Sequence, residues 1–278
     1  VYANSSTVVL ANSTVTGNKG HNVGGCAIRA AHAAGIVLHG CRFSHNQCKG
    51  DGGALLGGNY AASTCVSGGA SLMVTGSLQA FQVGNATQCS LAPKHLVRIS
   101  DSTFQGDMPT QHSCGGSIML SAAWLEVYRS SITGNPLANR GGAIASTGSA
   151  IVLQDTRISN TSAVGYGGSI FQLRGRFWAS GSQFTDAYTT REGGGCVYIT
   201  DATEVRVSGC DFERCVGRAE AGALYYQMMY DKPDVLPPVS IHATRIAHCR
   251  AWRDGGALNL VRVNITITDS LFDHNEVG

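Results

Sequence analysis

Charge is scarce in this 278-residue chain: Asp, Glu, Lys and Arg together make up 14 % of it, and they balance to a net charge of only +2. So weak a field excludes the basic footprint that nucleic-acid binding needs. Long apolar runs are missing too. No stretch of about 18 apolar residues occurs, so no segment reads as a membrane-spanning helix. A sustained 3.6-residue apolar period is also absent, which excludes much α-helix. The chain opens on Val1-Tyr2-Ala3 with neither a Met nor a charged-then-apolar leader. It therefore reads as a processed chain or an excised segment. Disorder is excluded by the opposite fact, an apolar content of 43 %.

Glycine is abundant, with 36 residues, and so is cysteine, with 10. Asn-x-Ser/Thr sequons occur at Asn4, Asn12, Asn85, Asn160 and Asn264. Cysteines and sequons together point to an oxidising, secretory compartment and to a secreted or cell-surface glycoprotein.

Self-similarity organises the chain. A Gly-Gly-small-aliphatic tetrad recurs as Gly52-Gly53-Ala54-Leu55, Gly115-Gly116-Ser117-Ile118, Gly141-Gly142-Ala143-Ile144, Gly167-Gly168-Ser169-Ile170 and Gly255-Gly256-Ala257-Leu258. Looser copies lie at Gly24-Gly25-Cys26-Ala27-Ile28, Gly194-Gly195-Cys196-Val197 and Ala221-Gly222-Ala223-Leu224. Copies are 26 to 28 residues apart, with gaps of 63 and 34 where the period is interrupted. Before each tetrad, apolar residues stand seven and five positions ahead of a Phe or Ile, as in Ile151/Leu153/Ile158, Val205/Val207/Phe212 and Ile265/Ile267/Phe272. A Ser, Thr or Cys sits two before that Phe or Ile, and often an Asn or Asp three after it.

Alternating apolar positions separated by Gly, Asn and Asp mean short half-buried strands joined by turns. Three such strands per repeat, none able to bury its face alone, describe one coil of a parallel β-helix. With about 4.8 Å between strands, eight or nine coils form a rod roughly 40 Å long. Residues 1–278 are expected to be a single such segment of a longer rod, with insertions at about 57–94 and 228–236. Loops concentrated on one flank of a solenoid commonly mark its binding side.

The GGA(I/L) tetrads and the Phe-x-x-Asn elements Phe43-Ser44-His45-Asn46 and Phe272-Asp273-His274-Asn275 resemble the repeat of chlamydial polymorphic outer-membrane proteins, found also in large algal and protist surface proteins. The resemblance covers nearly the whole chain. It implies a right-handed parallel β-helix at a cell surface, often in adhesion. No autotransporter barrel accompanies it, which favours a eukaryotic glycoprotein.

Stacking suggests five disulfides: Cys26–Cys41 and Cys196–Cys210 between two walls of one coil, Cys215–Cys249 in consecutive ladder slots, Cys65–Cys89 in the long insertion, and Cys48–Cys114. The competing reading of the inward cysteines is buried free thiols in small-residue slots. No Cys-x-x-Cys or His-x-x-x-His spacing offers a zinc site, and no cofactor motif is recognised. His45, His248 and His274 stand two after the Phe or Ile, the last two in adjacent coils where a metal could bridge them, but the favoured reading is a hydrated turn ladder. Alternation sends Phe171, Tyr198 and Tyr225 outward with Tyr226 beside them. They form either an exposed strip that binds a sugar or a protein, or a satellite core covered by loops. Asp51, Asp101, Asp107 and Glu126 fall in neighbouring coils without making a stacked acid pair, so no catalytic residue is assigned.

The function expected is a structural and adhesive rod segment of an extracellular surface or filament protein. Its partners would be other cell-surface proteins, glycans or further copies of itself, met on the insertion side. A polysaccharide-active enzyme with its cleft on that side is the alternative.

Overall fold

A computed structural model of the chain describes residues 2–4, 6–20, 27–31, 35–48, 72–75, 96–107, 114–136, 138–229 and 236–278. Every strand pairing among them is parallel, each strand lying beside its equivalent one coil away, and none of the described residues is helical. Three apolar columns expected from the repeat are present along the axis. Val8, Ile36, Val97, Leu125, Ile151, Phe177, Val205, Val239 and Ile265 are successive Cα partners. So are Val15, Phe43, Phe104, Ile132, Ile158, Phe184, Phe212, Ile246 and Phe272 on the second wall. The tetrad aliphatics Ile118, Ile144, Ile170, Val197, Leu224 and Leu258 make the third.

These columns meet in one continuous core. Neighbouring aromatic members stack, Phe43 on Phe104 at 4.7 Å and Phe184 on Phe212 at 4.6 Å between ring centroids. In the middle coils the tetrad strand runs without a break into the next wall, giving the long strands Ile144–Gln154, Ile170–Ser180 and Val197–Ser208.

Turns between walls use left-handed residues at repeating positions. One set precedes the small polar slot, as at Asp101, Asp155 and Asp269, and another precedes the ladder slot, as at His45, Asn160, Asp186, Arg214, His248 and His274. Left-handed geometry therefore falls one residue before the ladder Asn, and the Asn itself supplies hydrogen bonds. Its side-chain oxygen accepts from the backbone N–H of the equivalent residue one coil earlier: Asn46 from Asn18 at 3.1 Å, Asp107 from Asn46 at 3.1 Å, Asn135 from Asp107 at 3.2 Å and Asn275 from Cys249 at 2.9 Å. A second ladder runs through the small slot. There the Ser102, Ser130, Ser182 and Ser270 hydroxyls accept from the N–H of the preceding coil at 3.0–3.2 Å and donate to a carbonyl two residues back. Both ladders satisfy turn groups that would otherwise be buried unpaired.

The long insertion needs one correction. The strand stacked between Ile28–Ala31 and Ile118–Ser121 is Leu72–Thr75, inside the span expected to loop out at 57–94. Gly52-Gly53-Ala54-Leu55 lies outside the described residues. Gly68-Gly69-Ala70-Ser71-Leu72 carries one extra residue before its aliphatic member, so an uninterrupted tetrad does not detect it.

Candidate functional site

Cysteines occupy both ladders, and their slots decide their chemistry. At the third tetrad position the side chain faces the ladder slots on either side of it. Ser117 donates to Asp107 at 2.9 Å and accepts from Asn135 at 2.7 Å, and Thr161 and Ser169 are 3.0 Å apart. Cys196 holds this tetrad position and Cys215 the ladder slot of the following coil. They are joined in a disulfide, with Cα atoms 5.3 Å apart. The bond is thus the covalent counterpart of the Asn135–Ser117 hydrogen bond.

The expected bonds Cys196–Cys210, Cys215–Cys249 and Cys26–Cys41 are not present. Cys41, Cys210 and Cys249 are free, buried thiols. Two residues stacked in register point their Cβ atoms the same way, whereas a disulfide needs them to converge. Cys249 instead fills the ladder slot as a donor, its thiol 3.3 Å from the Ala247 carbonyl. Cys41 and Cys210 replace the hydroxyl of the small slot, each 3.4 Å from the carbonyl two residues back. Burial pushes the Cys210 and Cys249 thiols up to about 11, which keeps them protonated and poorly nucleophilic at neutral pH. Cys114 is disulfide-bonded as well. Cys26, Cys65, Cys89 and the Cys48 side chain lie outside the described residues. Peptide mapping without reduction should recover Cys196 linked to Cys215. Replacing Cys215 by Ser should cost about 3 kcal/mol for releasing a loop of this length, read as a lower denaturation midpoint; Cys215 recovered joined to Cys249 would contradict the slot assignment.

The outward tetrad column does stack, with Phe171 and Tyr198 at 5.9 Å and Tyr198 and Tyr225 at 4.6 Å between centroids. It is not an exposed strip. Phe171, Tyr198 and Tyr225 are 3 %, 7 % and 8 % exposed and form a second core with Cys114, Met119, Ala145 and Ala221. Tyr166 packs on Tyr198 at 4.4 Å, and the Arg140 guanidinium lies over the Tyr166 and Phe171 rings. Burial lowers the Arg140 pKa and raises that of Tyr198. Tyr226 points the other way, fully buried in the main core with its hydroxyl donating to the Ala202 carbonyl at 2.6 Å. As possible hot spots these four residues fail on accessibility among the described surroundings, and the satellite-core reading describes three of them.

Several carboxylates on the described exterior are held by arginines, while Asp269 and Asp273 face His242 and His274. Arg98 meets Glu126 at 2.8 Å, Arg129 meets Asp101 at 2.9 Å, Arg245 meets Asp211 at 2.9 Å, and Arg206 pairs with Glu204. Arg214 grips Asp186 with two nitrogens at 2.6 and 3.0 Å and holds that carboxyl below its usual range. Asp101 is likewise lowered by Arg129. Asp107 belongs to the Asn ladder. Asp51 lies outside the described residues.

Arginine, histidine and exposed rings gather instead on the ladder edge of the last coils. A cleft of about 360 Å³ there is lined by Arg214, Val216, His248, Cys249, Arg250, His274 and Glu276. His248 and His274, equivalent turn residues of consecutive coils, stack at 5.4 Å. Beside the cleft Trp252, 44 % exposed, carries the Arg218 guanidinium 3.9 Å and the Arg250 guanidinium 5.2 Å from its ring centroid. Three histidines at one turn position were visible in the sequence, but the arginines and Trp252 follow no repeat. No cluster of three His, Cys, Asp or Glu suited to a metal occurs among the described residues.

Of the sequon asparagines, Asn12, Asn160 and Asn264 are exposed, while Asn85 and the Asn4 side chain lie outside the described residues. The family model described as "Right handed beta helix region" matches residues 115–278, more than half of the chain. No curated protein and no solved structure matches.

Proposed function

Since this chain belongs to the right-handed β-helix family, we propose that it serves as a structural and adhesive rod segment of a glycosylated, disulfide-stiffened extracellular protein of the polymorphic outer-membrane repeat type. The supporting observation is the pair of side-chain ladders that carry one register from coil to coil. Such ladders suit a stiff spacer, because each coil is specified by its neighbours alone. The arginine pairing of Asp101 and Asp186 points the same way for these two acids, since a general acid needs a raised pKa and both are lowered. Exposed sequons at three asparagines are compatible with glycans that leave the ladders undisturbed.

The test uses native material. Intact mass should fall on glycosidase treatment, and immobilised glycans or cell-surface proteins should retain the chain without being consumed. Steady depolymerisation of a polysaccharide would replace this reading with the polysaccharide-active enzyme.

A further inference from the structure

Six of the described arginines are neutralised by a carboxylate, namely Arg98, Arg129, Arg206, Arg214, Arg245 and Arg253. Arg218 and Arg250 have no ion-pair partner among the described residues. Arg42, Arg157, Arg176, Arg191 and Arg262 have none either, but Arg218 and Arg250 are two such arginines gathered on one ring, that of Trp252. The coil geometry explains why. Val216, Arg250 and Glu276 are successive Cα partners, and Gly217 pairs with Ala251. Arg218 and Trp252 therefore occupy the next equivalent position, which brings the guanidinium over the ring. Tyr188, the Cα partner of Val216 one coil earlier, is 44 % exposed. Two open aromatic rings, two uncompensated guanidiniums and the stacked His248 and His274 thus line one flank of the rod beside the cleft.

Guanidiniums are weakly hydrated and present a planar fork that fits carboxylate or sulfate oxygens, and stacking on an aromatic ring holds the fork in place before a ligand arrives. Glu276 is the only carboxylate among the cleft-lining residues. A neutral ligand would leave the two cations without a counter-charge. An acidic protein segment would meet few apolar anchors, because the exposed rings on this flank are Tyr188 and Trp252 alone among the described residues.

We propose that this flank, centred on Arg218, Arg250 and Trp252, binds an acidic glycan through its carboxylate or sulfate groups, the chain lying along the rod axis. The proposal rests on the reading of the protein as an extracellular rod and gives that rod a ligand class. It also moves the contact from the insertion side to the ladder edge. The turn residues of that edge are not uniform, changing from Gly106 and Gly134 to Asp186, Arg214, His248 and His274.

Calorimetric titration of the whole chain with an oligogalacturonate, a sulfated dextran oligosaccharide and neutral dextran tests it. One or both anionic probes should bind and neutral dextran should not; which of the two binds separates carboxylate from sulfate. The double variant Arg218→Gln, Arg250→Gln should weaken binding at least tenfold, while Arg98→Gln, Arg129→Gln, with the same loss of charge on other faces, should leave it within about twofold. Equal losses in both variants would mean a general field effect and overturn the site, as would no binding to either anion or preferential capture of a polyglutamate peptide. Circular dichroism checks that each variant folds, and Arg218→Lys, which keeps the charge and loses the fork, gives a second measure that disturbs packing less. Cleavage of a bound glycan would reject the rod reading and leave the site standing.

Discussion

Replacing Gly168 by alanine is expected to abolish folding of the solenoid, where a replacement at Gly148 costs little. A Cβ on Gly168 would lie 2.0 Å from the Gly195 carbonyl oxygen, 2.7 Å from the Tyr188 nitrogen and 2.8 Å from the Tyr188 oxygen. All three are backbone atoms, so no rotamer change relieves the overlap. Separating the coils would relieve it, but the same turn carries the Gly168 N–H to Gly194 carbonyl bond at 3.1 Å and the Ser169 N–H to Cys196 carbonyl bond at 2.8 Å. The preceding Gly167 is left-handed, with φ of 66°. The two glycines therefore do separate jobs, one making the turn and the other admitting the neighbouring coil. A loss above roughly 5 kcal/mol is expected, comparable with the whole stability of many domains. Gly148 is left-handed as well, yet a Cβ there meets nothing within 4 Å, so Gly148→Ala should cost only about 1–2 kcal/mol of backbone strain. Soluble yield and urea denaturation of the two variants make the comparison. A folded Gly168→Ala with an unchanged midpoint would mean that the coils are not packed this closely.

That contrast also shows where a sequence is legible. A repeated position reports on its surroundings many times, and every member of the Val8-to-Ile265 and Val15-to-Phe272 columns could be placed because each copy constrains the others. Cysteine pairing is not repeated. Cys196 and Cys210 lie on the walls that the period identifies, but which of them faces Cys215 depends on side-chain direction at the turn, and the Ser117–Asn135 contact that reveals it is a tertiary fact. The displaced strand Leu72–Thr75 was hidden by one extra residue. Alternation sent Phe171, Tyr198 and Tyr225 to the outside of the sheet correctly, but period 2 says nothing about what folds over an outer face. Tyr166 and Arg140 come from turns whose residues differ from coil to coil. The Arg218–Trp252 contact was invisible for the same reason.

The covered aromatic column gives the second large expectation: Tyr198→Ala should lower stability by about 3–5 kcal/mol, as for other large aromatic truncations in a core. Tyr198 is central to its cluster, stacked on Tyr225, beside Phe171 and under Tyr166, so its loss leaves a void bounded by rings that are themselves held by the stack. Tyr225→Ala should cost somewhat less, because its ring ends the aromatic run and its coil neighbour is Asn259. The two rings touch, so the double variant should fall short of the sum of the single losses. Phenylalanine separates ring from hydroxyl. Tyr225→Phe removes the hydroxyl with its 2.6 Å bond to Gln227, worth about 1 kcal/mol, and Tyr198→Phe keeps the stacking. Thermal denaturation should therefore rank the variants with both alanines well below both phenylalanines, Tyr198→Ala lowest of the four. If the rings were exposed hot spots instead, the double alanine variant would keep its midpoint and lose binding by roughly 2 kcal/mol. An unchanged midpoint is the result that would return this column to the surface.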